Sequence, residues 1–328
     1  MTQTSTPTIT QKTTQQMPTV HAPFSHPGVT AKGEQRARVS LTALETLWFN
    51  TGTLCNIECI NCYIESSPKN DRLVYLTLED VTCYLDEIER DGLPTREIGF
   101  TGGEPFMNPA MNAILSETLS RGFDVLMLTN AMQPMLRPAV KAQLTKLVQQ
   151  YAPQITFRVS LDHYSAALHD TERGSGSFAK AMEGLVFLGS IGARISIAGR
   201  TCWQEDEAVA RAGYAALFRK LELPLHADNV EELTLFPEMD ERADVPEITS
   251  ACWSILKVDP ASMMCASSRM IVKHKGEAAP SVAACTLLPY DPRFNLGATL
   301  AEASGAVSLN HRHCAKFCVL GGGSCSAP

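Results

Sequence analysis

Between residues 44 and 236 the chain alternates short apolar runs with amphipathic stretches six times, and nothing else in the sequence constrains the fold as much. Leu44 to Gly52, Glu97 to Phe100, Val125 to Leu128, Ile155 to Leu161, Arg194 to Ala198 and Glu232 to Phe236 read as strands. Helical spacing fills the gaps. In Thr77 to Arg90, Thr77 is a cap, Val81, Tyr84, Leu85 and Ile88 share one face, and Gly92 is a stop. Asn108-Pro109 opens a second helix, with Met111, Ile114, Leu115 and Leu119 on one face. Pro138 to Tyr151, Ser177 to Leu188 and Glu205 to Leu221 supply three more. An α/β chain of this order pairs its strands in parallel through right-handed crossovers. Periodicity does not say whether such a sheet closes. It does say where chemistry belongs, namely in the loops that follow the strand C-termini.

Composition narrows the partners. A chain of 328 residues with 45% hydrophobic and 19% charged residues is ordinary for a globular protein. A net charge of -7 gives no basic footprint, so no nucleic-acid partner is expected. No apolar run is long enough to span a bilayer, and the N-terminus shows no basic-then-apolar signal pattern, so a cytoplasmic chain without a membrane partner is expected. Residues 1–40 are rich in Thr, Gln, Pro and Ser and read as a disordered tail. Residues 41–240 read as the core. Residues 241–328, dense in Cys, Pro and Gly, read as a small separate unit that metal would hold together.

The eleven cysteines point to metal or thiol chemistry in a reducing compartment, and their odd number rules out complete pairing within one chain. Three fall at Cys55, Cys59 and Cys62, on the loop leaving the first strand. A cubane iron–sulfur core needs a soft anionic sulfur at each iron. Three ligands leave one iron open to a cofactor or substrate, whereas a structural site is usually closed with four. A zinc site, a redox dithiol or buried free thiols remain the other readings of this spacing.

The CxxxCxxC spacing, with Tyr63 behind it and the first strand before it, resembles the radical S-adenosylmethionine (SAM) superfamily. The resemblance implies that Cys55, Cys59 and Cys62 bind three irons of a [4Fe–4S] cluster and that SAM chelates the fourth. It places Tyr63 near the adenine. Phe100-Thr101-Gly102-Gly103-Glu104-Pro105 follows the second strand, and its two glycines let backbone pass close to a ligand while Pro105 fixes the exit. In the resemblance this is the loop that contacts the SAM amino group. Asn130 at the end of the third strand, Ser160 and Asp162 at the end of the fourth and Arg200 at the end of the fifth stand where the family places further SAM contacts. Arg200 suits a carboxylate. Each of these four reads equally well as a polar loop residue or a helix cap. The stretch Asp162 to Phe178 also resembles family members, and His163 and His169 within it are candidates to line the site.

The tail carries Cys265, Cys285, Cys314, Cys318 and Cys325. Cys265 and Cys285 flank Met270 to Gly276, a possible hairpin arm. The arrangement resembles the SPASM and twitch extensions of radical SAM enzymes, which carry auxiliary [4Fe–4S] clusters. The seven-cysteine SPASM pattern is incomplete here, so one auxiliary cluster is expected, on Cys265, Cys285, Cys314 and Cys318 with Cys325 as a fifth candidate. His311 and His313 can substitute as ligands, and zinc is the competing metal.

Taken whole, the resemblance implies a partial (β/α)6 TIM-like barrel, open on one side and capped by a Cys-rich extension. It implies reductive cleavage of SAM to a 5′-deoxyadenosyl radical, an electron donor such as a flavodoxin or ferredoxin, and a peptide or small-molecule substrate. The alternative is a non-catalytic iron–sulfur electron carrier or redox sensor, which explains the cysteines but not the Gly-Gly-Glu-Pro loop. Cys83, Cys202 and Cys252 are expected to be core residues.

Overall fold

The computed structural model describes residues 21–237 and 244–323. Its centre is an eight-stranded sheet in the order β7-β6-β5-β4-β3-β2-β8-β9. The first six of these are the six expected strands: β2 (Thr46–Asn50), β3 (Glu97–Thr101), β4 (Asp124–Thr129), β5 (Ile155–Ser160), β6 (Arg194–Arg200) and β7 (Leu233–Phe236). They lie side by side in chain order and all pair in parallel, as in a partial (β/α)6 barrel. The helices α1 (Leu78–Asp91), α2 (Met111–Ser120), α3 (Gln133–Leu136), α4 (Pro138–Tyr151), α5 (Ala166–Arg173), α6 (Ser177–Ser190) and α7 (Glu207–Lys220) make the crossovers.

Local chemistry sets the element ends. Thr77 and Asp80 form a reciprocal cap on α1, and Gly92, at φ 58, ends the helix in the left-handed region. Pro138 opens α4, where its missing N–H costs nothing. Strand alternation sorts the side chains between two cores. Leu47, Phe49, Ile98, Phe100, Val125, Met127, Phe157 and Val159 pack outward under the helices. Trp48 and Leu126 point the other way, into a second apolar cluster built largely from the tail. Gly99 stands opposite Trp48, where a Cβ would come within 2.4 Å of the indole ring, so β2 and β3 pair only because that position is glycine.

Two expectations about the chain ends are corrected. Residues 24–40 are built into the fold, while residues 1–20 lie outside the described residues. Strand β1 (Arg38–Val39) pairs antiparallel with β10 (Val307–Ser308), and Phe24, Ala37 and Val39 join the second core. The anchor is Arg36, whose side chain is fully buried and bonded to Glu247 and to the carbonyls of His26, Val29 and Leu309. A polar, proline-bearing segment hides this role because its order comes from one buried ion pair and a few apolar contacts, not from periodicity.

The residues after 240 do not form a separate unit either. Strand β8 (Ser268–Val272) pairs in parallel with β2, extending the central sheet, and β9 (Ser281–Ala283) returns antiparallel beside it. The hairpin arm expected between Cys265 and Cys285 is therefore the edge of the main sheet. The short helix α8 (Cys252–Leu256) precedes it. Cys83 is exposed on α1, not a core residue.

Replacing Arg36 by Met should leave the largely buried Glu247 carboxylate without its cation. Loss of one partner of such a pair costs about 3 kcal/mol. Urea denaturation should show that loss, and limited proteolysis should open the chain between residues 22 and 36.

Candidate active site

Parallel pairing brings the C-termini of β2 to β8 to one end of the sheet, and a cavity opens there. Cys55, Cys59, Cys62 and Tyr63 line it from the loop after β2. Gly102 and Gly103 line it after β3, Asn130 after β4, Ser160 and Asp162 after β5, and Arg200 at the end of β6. It encloses about 1170 Å³ of open space, its solvent mouth included, which is ample for a nucleoside-sized cofactor.

The two motif loops touch. Gly103 donates its N–H to the Gly52 carbonyl at 2.8 Å, and Glu104 donates to Leu54 O at 3.2 Å. A Cβ at Gly102 would lie 2.5 Å from Gly52 O, and one at Gly103 would lie 2.2 Å from Leu54 O. Gly102 also sits at φ 143. The diglycine is thus what lets the β3 loop lie directly on the segment entering the cysteine loop.

Glu104 and Pro105 do not line the cavity themselves. The Glu104 carboxylate lies behind the wall, 1% exposed, and accepts hydrogen bonds from Thr129 Oγ1, Asn130 N and Phe106 N. Burial pushes its pKa up to about 7 against those three donors. Its visible task is to fix the end of β4. Asn130 passes that order on, donating from Nδ2 to Asn56 Oδ1 at 2.9 Å and reaching the Cys55 sulfur at 3.9 Å.

Helix α5 holds the other side of the cysteine loop. Glu172 accepts both hydrogen bonds of the Asn61 amide, at 3.1 and 2.9 Å, and its carbonyl accepts from Ile60 N. Arg200 lies 3.7 Å from the Glu172 carboxylate and bonds the Asn61 carbonyl. Next to it Arg173 grips Asp162 with two parallel bonds of 2.7 and 2.9 Å. Burial alone would raise the Asp162 pKa, but the Arg173 guanidinium outweighs it and holds the carboxyl below its ordinary range. The thiols feel the same surroundings. Burial pushes Cys55 up to about 12 and also raises Cys59, against the opposing charges of Arg173 and Arg200.

Arg158 and Arg173 line the cavity without having been singled out from sequence as contacts. The signal for Arg158 was present. In a strand of period two it falls on the face opposite Phe157 and Val159, where an arginine must meet something polar. Phe236, Leu287 and Phe317 add an apolar part to the lining, with the Phe236 and Phe317 rings stacked 5.8 Å apart. His163 and His169 do not reach the cavity. His163 bonds Ser165 and Glu205, and His169 is buried edge-on against Phe178.

In the tail, Cys265 and Cys314 are buried and Cys285 and Cys318 half-buried, all in the second apolar cluster. The charges of Cys285 and Cys265 both bear on Cys314, whose pKa burial pushes well up. Cys314 and Cys318 stand four apart on the π-helix Cys314–Leu320, a helix type that recurs at functional sites. Cys325 lies outside the described residues. Among the described residues no three His, Cys, Asp or Glu side chains converge as one metal ion requires, in the tail or in the main cavity.

Arg173→Met should strand the Asp162 carboxylate, whose side chain is 4% exposed. The expected cost is about 3 kcal/mol in urea denaturation of the metal-free protein, largely recovered when Asp162→Asn is added.

The radical SAM superfamily family model matches residues 49–198. The antilisterial bacteriocin subtilosin biosynthesis protein AlbA of Bacillus subtilis is 32% identical over 145 residues, which is 44% of this chain and 30% of that protein. The mycofactocin maturase MftC of Mycobacterium tuberculosis is 30% identical over 171 residues, 50% of this chain and 41% of that protein. The chain thus matches less than half the length of these curated relatives. Among solved structures, Streptococcus suis SuiB bound to S-adenosylmethionine superposes with TM-score 0.57 at 11% identity, covering 78% of this chain and 64% of that one. Native anSMEcpe with bound AdoMet and Kp18Cys peptide superposes with TM-score 0.55 at 13% identity, covering 83% and 82%. The cysteine loop and the diglycine loop beside it both lie within residues 49–198, the stretch that the radical SAM superfamily model matches.

Proposed function

We propose that this protein is a radical SAM enzyme that modifies a peptide, with its catalytic cluster on Cys55, Cys59 and Cys62 and an auxiliary cluster on the tail cysteines. The observation that carries the reading is the direct contact between the Gly102-Gly103 turn and the backbone entering the cysteine loop. An electron carrier or redox sensor would need the thiols. It would not need a cavity that joins them to Asp162, Arg173, Arg200 and the apolar Phe236, Leu287 and Phe317.

When bound, the cluster and SAM supply one reducing electron and a 5′-deoxyadenosyl radical that removes a hydrogen atom from the substrate. The chain supplies position and dryness. Cys55, Cys59 and Cys62 would each hold one iron, leaving the fourth for SAM. The paired guanidinium of Arg173 and that of Arg200 lower the cost of gathering thiolates beside them. Arg200 and the Asp162–Arg173 pair offer charge to the amino-acid end and ribose of SAM, and Tyr63 offers a ring for the adenine. Glu104 holds Thr129 and Asn130 from behind the cavity wall, so it acts on bound SAM through the position of that strand end. Phe236, Leu287 and Phe317 would exclude water from the side where substrate meets the radical.

The peptide substrate is supported by the relatives, one a bacteriocin biosynthesis protein and another a maturase, and by the peptide held in a structure of the same fold. The electron would come from a small donor such as a flavodoxin or ferredoxin. Of the localisation, the structure says that no helix among the described residues is long and apolar enough to cross a membrane.

Anaerobic reconstitution with iron and sulfide, reduction and addition of SAM should yield 5′-deoxyadenosine. Replacing Cys55, Cys59 and Cys62 together with Ala should abolish it, and persistence of the product in that variant would refute the site.

SAM affinity should weaken as pH falls through about 7, where Glu104 gains its proton. The raised pKa means that the folded chain favours the protonated acid. This group's contribution to stability is therefore full below its ordinary value of 4.5 and is lost as pH rises towards about 7. Titration calorimetry with the reconstituted protein should show the pH step, and Glu104→Gln should flatten it while weakening binding about tenfold.

A further inference from the structure

Among the described residues two arginine side chains are fully buried, Arg36 and Arg269. Arg36 has Glu247 for a counter-charge. Arg269, on β8 and 1% exposed, has none of that kind. Its Nε donates to Ala303 O at 2.9 Å, one terminal nitrogen to the carbonyls of Cys265 and Ser268 at 2.7 Å each, and the other to Gly305 O at 3.1 Å. Among the described residues no carboxylate forms an ion pair with it. The carbonyls satisfy its hydrogen bonds but not its charge. A buried cation without a counter-ion costs several kcal/mol.

The ionisable groups that act on this guanidinium are the thiols of Cys265 and Cys285. Its terminal nitrogen on the Cys265 carbonyl sets the charge beside that cysteine, and a neutral thiol there offers it nothing. A thiol bound to metal is deprotonated outright. The cation is therefore matched only when the neighbouring cysteines are ligands.

We propose that the buried guanidinium of Arg269 is the built-in counter-charge of the tail cysteine site, neutralising the thiolates of an iron–sulfur core and raising its reduction potential. This rests on the reading that the tail holds such a core. A thiolate-bound cubane is net negative, and taking one electron makes it more so without moving a proton. A fixed cation in a dry setting favours the reduced state, since net charge and nearby donors set the potential of such clusters. Arg269 also reaches the site through backbone, because it holds the Cys265 carbonyl directly.

The test uses the full chain carrying Cys55, Cys59 and Cys62 all replaced by Ala, reconstituted with iron and sulfide, so that the tail alone carries metal. Reduction with dithionite is followed by electron paramagnetic resonance at controlled potential. Arg269→Gln keeps polar contacts but drops the charge. It should disfavour reduction at least tenfold, a shift of about 59 mV to lower potential for one electron. Arg269→Lys keeps the charge and should stay near the parent. Should Arg269→Gln fail to fold, Gly305→Asp serves in its place. Gly305 has an ordinary φ of -67 and open space where a Cβ would stand, so a carboxylate fits beside the guanidinium without disturbing the backbone. It should lower the potential in the same direction at low salt. Unmoved potentials in Arg269→Gln, or in Gly305→Asp where that variant decides, overturn the role of Arg269 and leave the tail cluster standing. A parent that retains zinc, or no iron, overturns both.

Discussion

The close passage of the diglycine turn over residues 52–54 is the contact on which the site depends. Two loops that follow different strands are locked by backbone hydrogen bonds at distances no side chain would tolerate. Since the glycines carry no Cβ, the cysteine loop and the β3 loop behave as one piece of structure. Glu104, one residue on, extends the lock to β4 through the Asn130 N–H, and Asn130 hands it back to Asn56. Three strand ends are joined in this way before any cofactor is considered.

Around that lock the chain buries charge in quantity. Asp162 and Arg173 are paired, Glu104 is caged by three donors, Arg200 leans on Glu172, and Arg158 stands inside the barrel. Arrangements of this kind add little net stability, because desolvation offsets attraction. Their value is positional. Helix α5 contributes both Glu172, which clamps the cysteine loop through Asn61, and Arg173, which fixes Asp162 at the end of β5. One short helix therefore registers two neighbouring loops against each other. The cavity is lined both by the charged Arg158, Asp162, Arg173 and Arg200 and by the apolar Phe236, Leu287 and Phe317, and Phe236 stands beside Arg200 on the neighbouring strand.

The barrel was legible in the sequence because its signals are local and repeated. Six apolar runs and their amphipathic partners announce themselves, and Thr77 and Gly92 mark α1 at both ends. The cysteine and diglycine motifs were legible for the same reason, each being contiguous in sequence. What could not be read depends on contacts made far along the chain. The order of residues 24–40 rests on Arg36 meeting Glu247, over two hundred positions away. The placement of β8 beside β2 depends on an edge left open by a six-stranded sheet, and no run of residues encodes a neighbour. Glu172 and Arg173 stood inside a recognisable stretch, yet their partners Asn61 and Asp162 are set by folding. The two histidines there suggested chemistry by residue type alone, and packing against Phe178 and bonding to Glu205 account for them instead.

Because β8 is hydrogen-bonded to β2, the separation between the early and late cysteines is a property of a rigid lattice rather than of a linker. Cys265 sits just before β8 begins and Cys55 just after β2 ends, so adjacent parallel strands hold them near opposite ends of a ladder of four residue pairs. Strands do not hinge against one another the way tethered domains do. Electrons passing between two metal centres so mounted would cross a gap of constant length, whatever came or went at the mouth.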